Sequence, residues 1–166
     1  MPIQIRPVNP STQALPLYSV FHSSVHTLAS RHYTREQCEA WAPMQCDEST
    51  WVARIAHNRP FVAWMDDMIA GFADLQPDGY IDQFFVSSAC AGRGVGSALM
   101  AFLLETARTR GVPGLYSHVS LTAQPLFLRH GFRIDARQTV HLRGTAFENA
   151  RMSLMLSQPP VSRGCK

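Results

Sequence analysis

Residues 79–110 read GYIDQFFVSSACAGRGVGSALMAFLLETARTR, and this stretch decides the fold. Residues 80–86, YIDQFFV, carry the aromatic and β-branched content of a strand. Gly92, Gly94 and Gly96 then strip the side chains from one edge of a loop, so that its backbone can approach a ligand closely and adopt positive φ. Val95, Ala98, Leu99, Phe102, Leu103 and Ala107 recur at helical spacing beyond it. A glycine loop opening a helix offers unpaired N–H groups and a partial positive charge, which suits a phosphate anion.

Two common phosphate loops fail against this stretch. A P-loop needs Gly-Lys-Ser/Thr, but Gly96 is followed directly by Ser97, and Lys166 is the chain's only lysine. A dinucleotide fingerprint needs G-x-G-x-x-G directly after the strand. From Gly92 the third glycine falls one residue early, and from Gly94 the third position is Leu99.

A third pattern fits. The run VSSACAGRGVGSAL resembles motif A of the GNAT superfamily, the GCN5-related N-acetyltransferases, written Gln/Arg-x-x-Gly-x-Gly/Ala. Gly94 and Gly96 match it, while Ala91 stands where Gln or Arg is usual and removes a side-chain donor. A second segment, SLTAQPLFLRHGF at residues 120–132, is similar to the family's Asn-x-x-Ala-x-x-x-Tyr-x-x-x-Gly-Phe. Ala123, Gly131 and Phe132 match, Ser120 replaces the Asn, and Phe127 replaces the Tyr that protonates the departing thiolate in many members.

The resemblance implies an α/β (α+β) GNAT fold: a mixed, mostly antiparallel central sheet flanked by helices. Its fourth and fifth strands, here residues 80–86 and 115–119, would splay to admit acetyl-CoA. It further implies that main-chain groups of Phe84, Phe85 and Val86 pair with the pantetheine arm. Ala91, Gly92, Arg93, Gly94, Val95, Gly96 and Ser97 would hold the diphosphate, with Ser120 and Phe127 also beside the cofactor. Ser97 alternatively caps the helix. The acceptor is expected to be a small-molecule amine, acetylated directly in a ternary complex. The alternative is a non-catalytic acyl-CoA-binding or regulatory module, which the departures at Ala91 and Phe127 keep open.

Acetyl transfer needs a base within reach of the amine, directly or through water. Strand alternation puts Tyr80, Asp82, Phe84 and Val86 on one face, and Ile81, Gln83 and Phe85 on the other. Tyr80 falls where some family members carry a catalytic glutamate, and Asp82 lies one pleat nearer the thioester. An Asp inside an apolar strand is costly unless paired or functional, so Asp82 is the candidate base or substrate-orienting carboxylate. A structural hydrogen-bonding role is the alternative. Tyr80 could donate the proton that Phe127 cannot. His32, Tyr33 and His118 are candidate substrate contacts, and Cys90 near the helix start is a weaker nucleophile candidate with no base paired to it in sequence.

Outward from the decisive stretch, residues 3–7 alternate as a first strand, followed by a helix with Leu15, Val20, Phe21, Val25, Leu28 and Ala29 apolar. TREQ at Thr34 is a capping box for a helix over residues 35–41. Asp47 caps another helix, through Trp51, Ile55 and Ala56. Residues 61–65 and 68–75 read as strands around Asp66-Asp67. Leading out of the long helix come a strand at residues 115–119, a helix capped by Thr122, and a hairpin of residues 132–142 and 147–156.

A net charge of +3, 46% apolar and 16% charged residues indicate an ordered globular chain, and no basic run interleaved with aromatics points to nucleic acid. Cys38, Cys46, Cys90 and Cys165 lack metal-ligand spacing, so no metal is expected, and free thiols suit a reducing compartment. No leader pattern or membrane-length apolar run is present, and a cytoplasmic monomer or homodimer is expected. One domain over residues 1–157 with a flexible tail over residues 158–166 completes the reading.

Overall fold

A computed structural model describes residues 2–156. The expected tail and Cys165 lie outside them. The chain builds two four-stranded sheets with strand orders β1-β2-β3-β5 and β4-β6-β8-β7. In the first, β1 (Gln4–Pro7), β2 (Phe61–Met65), β3 (Met68–Ala73) and β5 (Phe84–Val86) pair antiparallel. In the second, β6 (Gly114–Ser120), β7 (Arg133–Leu142) and β8 (Thr145–Met155) are antiparallel, and β4 (Tyr80–Ile81) joins β6 in parallel.

Local chemistry shapes the flanking helices. α1 (Pro10–Ser23) starts on Asn9, whose side chain accepts from the Ser11 amide, and buries Ala14, Leu17, Val20 and Phe21. Leu15, expected on that inner face, points to solvent at 45% exposure. The helix then widens into a π-turn, Ser24–Leu28, a local form that often marks functional sites. α2 (Arg35–Trp41) carries the expected capping box, Thr34 and Gln37 each satisfying the other's backbone amide. α3 (Glu48–Asn58) starts on Asp47 and buries Trp51, Ile55 and Asn58, whereas the expected Ala56 is exposed. These helices cover one apolar cluster, centred on Phe21, Trp51, Val62, Phe72 and Phe147.

On the other side α4 (Val95–Thr109) buries Val95, Leu99, Met100, Leu103 and Ala107 with α5 (Gln124–Arg129), through Phe127, in a second cluster. Thr122 does not cap α5: the cap position is Ala123, without a side-chain bond, and the turn is closed by Ala123 N–H donating to Ser120 Oγ at 3.2 Å. Hairpin turns at Asp66-Asp67 (φ 50° and 63°) and Arg143-Gly144 (φ 48° and 76°) have positive φ at both central residues, as type I′ turns require.

The main departure lies inside the decisive stretch. Residues 80–86 are not one strand: β4 and β5 belong to different sheets, with Asp82 and Gln83 between them. A regular strand sends neighbouring side chains to opposite faces, yet Asn58 Nδ2 donates to both Asp82 Oδ2 (2.7 Å) and Gln83 Oε1 (3.1 Å). The expected alternation therefore fails at these two residues. It resumes after them, with Phe84 against Phe127 and Phe85 against Phe21.

Candidate active site

The break between β4 and β5 is held by Asp74, just beyond β3. Its fully buried carboxylate accepts the Asp82 amide on Oδ1 and the Gln83 amide on Oδ2, both at 2.9 Å. Burial pushes this carboxyl up to about 6, against the opposing pull of the Asp82 N–H bond. The clamp replaces the ladder bonds lost where the sheet divides.

The division leaves two strand edges apart. Pairing of β4 with β6 reaches Ile81 and Ser117, where Ser117 Oγ donates to the Ile81 carbonyl at 2.7 Å. Beyond it, β5 bonds β3 on one side and is an edge strand on the other. Phe84, Phe85 and Val86 on β5 and His118, Val119 and Ser120 on β6 line a cleft of about 320 Å³ between them. Leu126 and Phe127 of α5 and Ser24, Val25 and Leu28 of the π-turn also face it. This is the expected splay, located at residues 82–83.

β5 leads into the glycine loop. Gly92 (φ 73°) and Gly94 (φ 85°) are left-handed, and a Cβ on either would project into open space. Gly94 is the N-cap of α4 and no side chain caps that end, so Ser97 does not serve as the cap. Ala91, Gly92, Arg93, Gly94 and Ser97 are exposed. The result is an accessible, uncapped helix start with bare backbone around it, a donor set that fits a diphosphate. Gly96 has a different reason from the expected positive φ: it is helical, and a Cβ there would sit 3.0 Å from Leu126 Cδ2. Val95 is buried under the loop. Cys90 is fully buried as well, which removes it as a nucleophile.

Of the predicted catalytic pair, Asp82 reaches the cleft wall. Its Oδ2 accepts from Arg54 Nε (3.1 Å), Arg54 Nη2 (3.0 Å) and Asn58 Nδ2 (2.7 Å). Its Oδ1 meets only the Tyr80 hydroxyl, at 3.5 Å. Tyr80 itself is not part of the cleft wall; it stacks on Tyr116 at 5.1 Å and meets His118 edge-on. Burial first, then the Asp82 charge, pushes its hydroxyl up to about 12, so it keeps its proton.

His118 lines the cleft, with Nδ1 2.7 Å from Gln138 Nε2. Tyr33 also lines it, but its hydroxyl is committed, donating to the Glu148 carbonyl and accepting from Leu121 N–H at 3.0 Å. His32 is not brought there: it sits in a neighbouring hollow with Gln37 and Glu148, Nδ1 2.9 Å from Thr122 Oγ1. Phe127, 1% exposed, packs on Phe84 and Phe132 and offers only an apolar ring.

Sequence reasoning missed Asp74, Arg54, Asn58 and Asn149. Asp74 carried the same signal as Asp82, an acid inside an apolar run, FADL. Arg54 and Asn58 are one helical turn apart on α3, a spacing that marks a shared face. Asn149 gave no local signal. Among the described residues no cluster suited to a metal occurs, and no helix is long and apolar enough to cross a membrane.

A strand pair that parts to form a cleft, with a bare helix start beside it, is an arrangement that fits an extended, phosphate-bearing ligand. Comparison with known proteins says which. Residues 29–154 match the acetyltransferase (GNAT) domain family. The chain is 36% identical over 150 residues to the uncharacterized N-acetyltransferase YafP of Escherichia coli K12, covering 90% of this chain and 94% of that protein. Its fold superposes with a TM-score of 0.88 on a GCN5-related N-acetyltransferase from Rhodopseudomonas palustris, at 31% identity, covering 94% of this chain and 97% of that one. A PaiA N-acetyltransferase from Thermoplasma acidophilum, solved with coenzyme A, shares the fold at a TM-score of 0.72 and 15% identity, over 94% of this chain and all of that one. The chain belongs to the GNAT family of acetyltransferases, which take acetyl-CoA as co-substrate.

Proposed function

We propose that the protein moves an acetyl group from acetyl-CoA to the primary amine of a small molecule, by direct transfer in a ternary complex in the cytoplasm. The observation that carries this reading is the position of the uncapped start of α4 beside the cleft: Val86 and Leu126, which line the cleft between β5 and β6, would lie 3.7 Å and 3.0 Å from a Cβ on Gly96 in the first turn of α4. When bound, acetyl-CoA supplies an activated acetyl carbonyl. The amides of residues 92–97 would hold its diphosphate, with Arg93 beside them, whereas the Ala91 N–H already donates to the Ser88 carbonyl at 3.4 Å; the free edge of β5 would align its arm. Asp82, locked on Oδ2 by Arg54 and Asn58, keeps Oδ1 to orient the amine and take its proton, directly or through water. His118 and Tyr33 contribute to the substrate wall.

No activated nucleophile lines the cleft among the described residues, which favours direct transfer over an acyl-enzyme. Initial rates with both substrates varied test this: intersecting reciprocal plots fit a ternary complex, and parallel lines would reject it. The apolar Phe127 favours the second reading, an acyl-CoA-binding module. Calorimetric binding of acetyl-CoA without thiol release on any amine would establish that alternative.

A further inference from the structure

The side of the cleft away from α5 is an aromatic wall. Phe21 and Phe85 lie 4.8 Å apart between ring centroids, Trp41 and Phe85 6.0 Å, and Trp41 and Phe147 6.3 Å. These rings come from α1, β5, α2 and β8, and all four line the cleft. Phe21 and Phe147 are buried while Trp41 and Phe85 keep part of their surface open, so the wall is preformed.

Most polar groups facing this wall are already engaged. Ser117 Oγ is bonded to Ile81, Thr122 Oγ1 to His32, and His118 Nδ1 to Gln138. The charged side chains of the lining are Arg54 and Asp82, paired with each other at 3.0 Å. Asn149 differs. Among the described residues, buried side-chain polar atoms without a partner occur at His22, Gln83 and Asn149, and of these only Asn149 lines the cleft. It stands directly across the β6–β8 ladder from Ser120, and the partnerless atom is its Oδ1. A buried carbonyl oxygen left unpaired costs about 1–3 kcal/mol, so a ligand bringing an N–H there is favoured.

Resting on the acetyl-transfer reading above, we propose that the acceptor is a small amine bearing an aromatic ring. The ring lies on Phe21, Trp41, Phe85 and Phe147, and the nitrogen donates one N–H to Asn149 Oδ1. A polyamine or amino acid would instead bring a further charge to a wall whose own charges are mutually neutralised. The cleft, about 320 Å³ and shared with the thioester arm, is at the small end for ligand sites and fits a single ring system. In the transfer the nitrogen forms a C–N bond to the acetyl carbon as the C–S bond breaks, and the proton it loses ends on the released thiol.

The test uses the full chain with saturating acetyl-CoA. Thiol release and product mass are followed with phenethylamine and tryptamine, with putrescine and spermidine, and with lysine and glutamate. Burial of one ring predicts kcat/KM at least about tenfold higher for the ring-bearing amines. Asn149→Ala lowers that value about tenfold while leaving calorimetric affinity for acetyl-CoA unchanged. Trp41→Ala also lowers it and Trp41→Phe restores most of it. Faster turnover of a polyamine or amino acid, or an Asn149→Ala variant indistinguishable from the parent, overturns the acceptor assignment and leaves acetyl transfer standing. Acetyl-CoA binding with no amine acetylated overturns both.

Discussion

Asp74 and Gln83 are bonded to each other in both directions: Asp74 N–H donates to the Gln83 carbonyl at 3.1 Å, and Gln83 N–H returns to Asp74 Oδ2 at 2.9 Å. With the Asp82 amide on Oδ1, this side chain governs where one run of sequence divides between two sheets. The cleft exists because of that division, and Asp82 is aimed by it.

Asp74→Asn keeps size but turns an N–H donor toward an N–H donor at one of the two amides. Unfolding in urea should show a loss of about 1–3 kcal/mol, the cost of an unsatisfied buried amide. Acetyl transfer should fall further than stability alone accounts for, since Asp82 loses its anchor. An unchanged midpoint would mean that the division is held by packing instead.

The same carboxyl gives stability a pH signature. It sits at about 6 in the fold against 3.8 ordinarily, so between those values the folded state binds more protons than the unfolded one. Stability therefore falls as pH rises from about 4 to about 6, by up to about 3 kcal/mol from this group. Comparing wild type with Asp74→Asn across that window isolates the effect. Parallel pH profiles for the two proteins would refute it.

Asp82→Asn leaves the Arg54 and Asn58 contacts without a charge to hold and removes the proton acceptor. Loss of a positioned base predicts kcat about a hundredfold lower with acetyl-CoA affinity retained. A folded variant with wild-type kcat would assign Asp82 a structural role.

Gly94→Ala places a Cβ where the backbone has φ 85° and where a phosphate would approach. The fold should lose about 1 kcal/mol from the left-handed conformation alone. Acetyl-CoA affinity measured by calorimetry should drop by more than tenfold. Retained affinity would remove the diphosphate from this loop.

Much of the architecture was legible because it is local. The Thr34–Gln37 box, the Asp47 cap, the Asp66-Asp67 turn and the face of α4 all act within a few residues of chain. The glycine loop and Asp82 were legible for the same reason, as an exception to a local pattern. Caps at Ser97 and Thr122 were misjudged because capping depends on which residue begins the helix, and both helices begin on other residues. The aromatic wall drew on residues as distant as Phe21 and Phe147, which no window of sequence joins.

Local sequence was therefore enough for the order of elements, the helix starts at Thr34 and Asp47 and the bare loop, since short-range sterics and hydrogen bonding decide each of them. Tertiary structure alone decided that residues 80–86 would part at Asp82, that Arg54 and Asn58 would hold its carboxylate, and that Asn149 would face the cleft unpaired. Those outcomes depend on burial and on partners brought together only when the sheets pack. A buried polar group takes whichever partner the fold delivers.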